Sequence, residues 1–89
     1  MMQLRDAPVP PRYPESLRRA GIEGDVMVKF VVDTTGMIDM RQVEILSSAH
    51  ELFTNAVRES LARMRFSPSM VGERKVKALA IMPFRFRLR

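Results

Sequence analysis

The sequence predicts an α+β domain of two layers, with two helices packed on one face of a three-stranded antiparallel sheet in the chain order helix, strand, strand, helix, strand. Three observations carry this. Residues 25–33 (DVMVKFVVD) and 75–89 (KVKALAIMPFRFRLR) alternate apolar and polar side chains with the period of two of a half-buried strand. Between them Leu52, Phe53, Ala56, Val57, Leu61 and Met64 recur at helical spacing, with Arg58, Glu59 and Arg63 on the other side. One apolar face per strand and one apolar stripe per helix are buried together by stacking in two layers.

Each element has its own signals. Ala7-Pro8-Val9-Pro10-Pro11 favours polyproline II, so residues 1–12 read as the end of a Pro-rich spacer, extended or disordered, and residues 13–89 as the folded domain. Pro14 suits the first position of a helix, Glu15 its positive end and Gly21 the position just past Arg18-Arg19-Ala20. That predicts a short helix over 14–20, with a turn as the alternative. In the first strand Val26, Val28, Phe30 and Val32 face inward, and Asp33-Thr34-Thr35-Gly36 supplies the chemistry of a hairpin turn. In the second strand, 37–46, the pair Ile38/Met40 is out of phase with Val43/Ile45, which predicts a bulge near Arg41-Gln42. Ser48-Ala49-His50-Glu51 has the form of a capping box opening the long helix. Met64-Arg65-Phe66-Ser67-Pro68 leaves that helix extended, a loop runs through Gly72, and one long strand from Lys75 closes the domain.

Composition narrows the function. At 89 residues the chain forms one domain that buries roughly 60–65% of its unfolded surface. It has no Cys and one His, so neither disulfides nor a zinc cluster reinforce it, and oligomerisation is the remaining support. Fifteen Lys and Arg against ten Asp and Glu leave a net charge of +5, compatible with nucleic acid, an anionic envelope polymer or an acidic peptide. No apolar run approaches the roughly 18–20 residues of a membrane span. Catalysis has little to use: His50 is solitary, no carboxylate is placed to orient a triad with Ser48, and no metal or cofactor motif is present. Asp33 and Asp39 lie close along the hairpin and read as solvated turn acids, and the eight Met read as packing. A base-stacking RNA-binding sheet is disfavoured because Phe30, Phe84 and Phe86 share the core-facing parity.

The last strand is different in kind. Pro83 has no N–H, so in a paired strand its nitrogen must face the open side. Residues of the same parity, Lys77, Leu79 and Ile81, then turn their N–H and C=O groups to a free edge, where a guest strand would satisfy them. Leu79 and Ile81 are also apolar at outward positions, which invites partners.

Several fragments read together: Tyr13-Pro14-Glu15, Gly21-Ile22-Glu23-Gly24 leading into Val26-x-Val28-x-Phe30, Asp33-x-x-Gly36, Val43-x-Ile45-x-Ser47-Ser48, and Arg63-x-Arg65-Phe66-x-Pro68. In this order and spacing they resemble the C-terminal domain of TonB-type energy transducers, over about residues 10–88. The resemblance implies a periplasmic domain at the end of a Pro-rich spacer, anchored in the inner membrane of a Gram-negative bacterium beside ExbB and ExbD. It implies, as partners, the TonB-dependent outer-membrane transporters of siderophore or nutrient uptake, whose TonB box adds as a strand beside the last strand while proton-motive force is transmitted. The partner-binding residues it implies, together with the parity argument, are Arg12, Tyr13, Lys75, Lys77, Leu79, Ile81 and Arg85. No enzymatic activity and no cofactor are implied. Two departures stand out. Pro10 occupies a position where members often carry Gln, leaving a polar contact to the box without its residue, and Met64 stands where many have Trp, which bears on packing. Two roles are open to Lys75, Lys77, Arg85 and Arg87: keeping an exposed edge from pairing with its own kind, or steering an acidic segment toward it. A second copy pairing through the last strand as a homodimer is a further candidate partner, and the alternatives to the transporter-docking reading are an envelope-glycan-associating module and, behind it, a basic nucleic-acid-binding domain.

Overall fold

A computed structural model describes the backbone of residues 3–4 and all of residues 10–88. The elements are β1 (Gln3–Leu4), α1 (Glu15–Arg19), β2 (Gly24–Val32), a 3₁₀ turn (Met40–Gln42), β3 (Glu44–Ser48), α2 (Glu51–Arg63), β4 (Phe66–Ser67), β5 (Ser69–Val71), β6 (Arg74–Val76) and β7 (Ala78–Phe86). The main sheet has the antiparallel order β3-β2-β7, and two short ribbons, β1-β4 and β5-β6, flank it. The architecture is the α+β two-layer arrangement expected, with a three-stranded antiparallel sheet and two helices.

The apolar face of β2 is the centre of the core. Val26, Val28, Phe30 and Val32 are each at most 1% exposed. Phe53, Val57 and Leu61 of α2 cover them, and Leu17 of α1, Ile38, Met64, Phe66, Phe84 and Phe86 complete the cluster. α2 approaches where β2 begins, and a Cβ on Gly24 would stand 2.4 Å from the Cβ of Ala49 and 3.1 Å from the Phe53 ring. Glycine is what lets helix and strand meet there. α1 ends in a Schellman motif: Ile22 N–H donates to Leu17 O, Gly21 N–H to Arg18 O, and Gly21 takes φ +71°. Pro14 sits one position earlier than expected, as the N-cap rather than the first helical residue.

The β2–β3 connection holds one expected feature and one correction. Asp33 Oδ1 accepts from the N–H groups of Thr35 and Met37, and Gly36 adopts φ +91°. The phase slip near Arg41-Gln42 is real, but no bulge makes it. Asp39 Oδ1 caps a single 3₁₀ turn by accepting from Arg41 N–H, and that turn rotates the chain between the two apolar pairs. The bulge lies further on, where Met27 opposes Ser47 and Val28 opposes Ile45, leaving Leu46 unpaired.

The capping box at Ser48 is not formed. Ser48 is still held in β3 opposite Val26, so the helix starts two residues later with His50 as N-cap, its Nδ1 accepting from Leu52 N–H. Ser48 instead donates to the His50 carbonyl and accepts from the Thr54 hydroxyl.

The single long strand from Lys75 is also corrected. β6 and β7 are paired separately, with Lys77 between them bonded to neither neighbour, because β5 folds back on β6 through Gly72-Glu73 inside what read as a loop. The last strand ends at Phe86, after which Leu88 N–H donates to Glu23. β4 pairs with β1, a contact no sequence pattern announced. The polyproline reading of 7–11 lies outside the described residues up to Val9; Pro10 and Pro11 have no regular structure.

Gly36 separates two kinds of glycine requirement. A Cβ there would fall 2.0 Å from the carbonyl oxygen of Phe66, whose N–H donates to Gly36 O at 2.7 Å, whereas Gly21 has open space around it. Gly21→Ala should therefore cost only the left-handed backbone penalty, about 1–2 kcal/mol. Gly36→Ala should cost clearly more in urea unfolding, and equal losses would refute the close approach. Folding also lowers the pKa of two carboxyls: the Thr35 hydroxyl does so chiefly for Asp33 and the Gln42 amide chiefly for Asp39, each helped by backbone N–H groups. The ionised forms then stabilise the fold fully above the unfolded value of about 3.9, and this is lost as pH falls through the lower folded values. Asp33→Asn and Asp39→Asn should lower the urea midpoint at neutral pH, with the gap to the parent closing in acid. A gap that persists unchanged in acid would show that carboxylate charge is not what folding stabilises.

Candidate docking edge

Hydrogen-bond parity decides what β7 offers. The Asp25 carbonyl accepts from Ala49 N–H at 3.1 Å and the Val31 carbonyl from Asp39 N–H at 2.9 Å, so odd-numbered residues of β2 bond toward the β3 side. Even-numbered residues of β2 must bond toward β7, where they oppose Ala78, Ala80, Met82 and Phe84. Pro83 opposes Met27 in a pair that requires no donor. Leu79, Ile81 and Arg85 consequently direct their N–H and C=O groups outward, along an edge with no strand beside it among the described residues.

The edge continues past Lys77. In a hairpin with a two-residue turn, the residues flanking the turn exchange hydrogen bonds. Arg74 and Val76 thus bond to β5, and Lys75 points away from it. β5 and β2 pair with successive parts of the β6–β7 chain, and among the described residues no strand pairs with its opposite side from Lys75 to Arg85, roughly 34 Å at 3.4 Å per residue. Leu79 and Ile81 are 64% and 59% exposed. Lys75, Lys77 and Arg85 make no ion pair among the described residues, whereas Arg87 is bound to Asp25 at 2.9 Å and to the Gly24 carbonyl.

Of the other two expected residues, only Tyr13 has a ring contact with β7 among the described residues, through Phe86 at its end. Arg12 is exposed. Tyr13 is largely committed to the fold: its ring meets Phe53 and Phe86 edge-on, each at 5.6 Å between centroids, and its hydroxyl donates to the Ile22 carbonyl. Phe53 and Phe86 stack at 4.2 Å, so the three rings clamp the incoming chain, α2 and the end of β7 together. Partial burial, with Glu23 nearby, raises the pKa of the Tyr13 hydroxyl and keeps it a donor. The tandem cover by β5 and the aromatic clamp were not read from the sequence; the Tyr13-Pro14 and Gly21-Ile22 fragments that build the clamp were visible, but their contact was not.

On the sheet face opposite the helices, a depression of ≈ 440 Å³ is lined by Lys29, Val31, Arg41, Gln42, Val43, Glu44 and Leu79. Lys29 and Glu44 pair across it at 3.4 Å. It adjoins the open edge at Leu79. Among the described residues no group of three or more His, Asp or Glu gathers for a metal ion.

The chain is thus a two-layer α+β domain whose three-stranded sheet keeps an open, partly apolar edge among the described residues and whose core is closed by aromatic packing. Residues 9–88 match the family described as the Gram-negative bacterial TonB protein C-terminal, and the chain belongs to that family, one of transducer and binding domains rather than enzymes. It is 35% identical over 80 residues to Protein TonB of Pseudomonas aeruginosa and 34% identical over 85 residues to Protein TonB of Vibrio cholerae. These alignments take in 89% and 96% of this chain but 23% and 34% of the relatives, so the chain spans about a quarter to a third of their length. The solution NMR structure of the Pseudomonas aeruginosa TonB C-terminal domain superposes with a TM-score of 0.82 at 32% identity, covering 98% of this chain and 86% of that one. The Helicobacter pylori domain, at 23% identity, shares the fold with a TM-score of 0.67, covering 89% of this chain and 70% of that one.

The clamp makes a graded prediction. Tyr13→Phe removes one hydrogen bond and should cost about 0.5–1.5 kcal/mol. Tyr13→Ala opens a cavity against Phe53 and Phe86 and should cost about 3–5 kcal/mol. Chemical unfolding distinguishes the two, and near-equal losses would mean that the ring is not a packing element.

Proposed function

We propose that this chain is the receptor-binding domain of a TonB-type transducer, which grips the TonB box of outer-membrane transporters by strand addition along Lys75–Arg85 and passes on proton-motive force for uptake. The observation that supports this most is the open edge of β7, where Leu79, Ile81 and Arg85 turn outward backbone groups that no strand among the described residues pairs. Main-chain bonds give affinity that depends little on guest sequence, and each contributes only about 0.5–1.5 kcal/mol net. A handful suits a grip that serves several receptors and releases them. Lys75, Lys77 and Arg85 would guide an acidic stretch of the guest along the edge. Arg12 and Tyr13 would meet the guest near the end of β7, because the Tyr13 ring packs on Phe86.

In the whole protein, the Pro-rich spacer would lead back across the periplasm to an inner-membrane anchor beside ExbB and ExbD, and tension would reach the domain through residues 10–13. A second copy of the chain pairing through the same edge would bury the same groups and compete with the guest.

The test is an amide NMR titration with a TonB-box peptide at low and high salt, on a sample of verified monomeric mass. Shifts along residues 75–85 that survive salt are the expected result. Ile81→Pro removes an outward donor without touching the β2 ladder, so it should leave the fold intact and weaken binding at least tenfold. Unchanged affinity in that variant would rule out this register, and an absence of shifts would rule out strand addition.

A further inference from the structure

The β5–β6 hairpin stands apart from the two layers, its strands contacting chiefly each other. Met70 and Val71 beside its turn are 51% and 65% exposed. In register, Met70 stands next to Lys75 on one face of the ribbon, and Val71 next to Arg74 on the other, which Ser69 and Val76 share, so each face sets apolar beside cationic side chains. Arg74, Lys75 and Lys77 form no ion pair among the described residues, and Glu73 is the one acid in the stretch 69–77. Neither feature serves packing.

We propose that this tip docks on the surface of an anionic phospholipid bilayer, with Met70 and Val71 entering the headgroup and acyl boundary and Arg74, Lys75 and Lys77 lying against lipid phosphates. A soluble polyanion would engage the cations but leave both apolar side chains in water. A second copy would set three unpaired cations against three. A bilayer surface satisfies both features at once, because binding there adds apolar burial to attraction for anionic headgroups.

The chain has no tryptophan, so Met70→Trp places a single indole at the tip. The expected result is a blue-shifted emission, with co-sedimentation of the 89-residue chain, on phosphatidylcholine vesicles doped with phosphatidylglycerol and not on phosphatidylcholine alone. The double change Met70→Ser, Val71→Ser should lower the partition coefficient roughly tenfold at unchanged melting temperature. Leu52→Ser, an exposed apolar position on α2, should leave it as it was. Should the indole itself disturb the hairpin, sedimentation of the serine variant decides. Sedimentation that the serine variant fully retains would mean charge adhesion only and would overturn the proposal. So would the absence of binding to either vesicle, or an equal blue shift with a soluble anionic glycan.

Discussion

The fold depends on β2 being, among the described residues, the one strand with both edges paired. Its even-numbered side chains are sealed under α2, and its backbone groups are divided between β3 and β7 by position. With the side chains of β2 fixed in phase, β3 has to reset its own by a 3₁₀ turn and a bulge, and β7 has to face its even-numbered groups inward. Pro83 is compatible with only one of the two phases available to β7. A slip of one residue would expose Phe84 and Phe86 and leave a Val28 or Val26 group without its donor.

The same constraint explains why the sheet stops at three strands. Its helix-facing side is filled by aromatic rings from three parts of the chain, while its other side carries Lys29, Glu44 and a shallow depression. Closing the open edge with another strand of this chain would place Lys75, Lys77 and Arg85 against a neighbour, and these cations have no ion-pair partner among the described residues. Lysines on an edge that also bears Leu79 and Ile81 discourage pairing of like with like while leaving the backbone available.

What could be read from residues alone was whatever is a covalent or periodic property. Alternation located β2 and β7, helical spacing located α2, and the missing proton of Pro83 oriented the edge. What could not be read depended on which partner arrives first. Ser48 has the right neighbours to cap a helix, yet strand pairing with Val26 claims it, and His50 takes the role. Alternation runs unbroken through Lys77, so the division between β6 and β7 is invisible until β5 and β2 are seen to pair on either side of it. Tyr13 was conspicuous as part of a motif, but its place among Phe53 and Phe86 joins residues from both ends of the chain. The cations of the edge were legible as charge; whether they guard or steer was not, because both roles ask for the same residues in the same places.

β7 pairs with β2 at sequence separations from 46 (Val32 with Ala78) to 62 (Gly24 with Phe86), and Leu88 and Arg87 reach back to Glu23 and Gly24. Nothing before Ala78 can seal Val26 or Phe30 on the β7 side, so a nascent chain that has emerged as far as α2 still lacks a third of its sheet. The β7 side of the sheet therefore cannot form before residues 78–86 are free to pair. A chain held extended over those residues leaves the edges of Val26 and Phe30 unsealed, whatever the rest of it has already built.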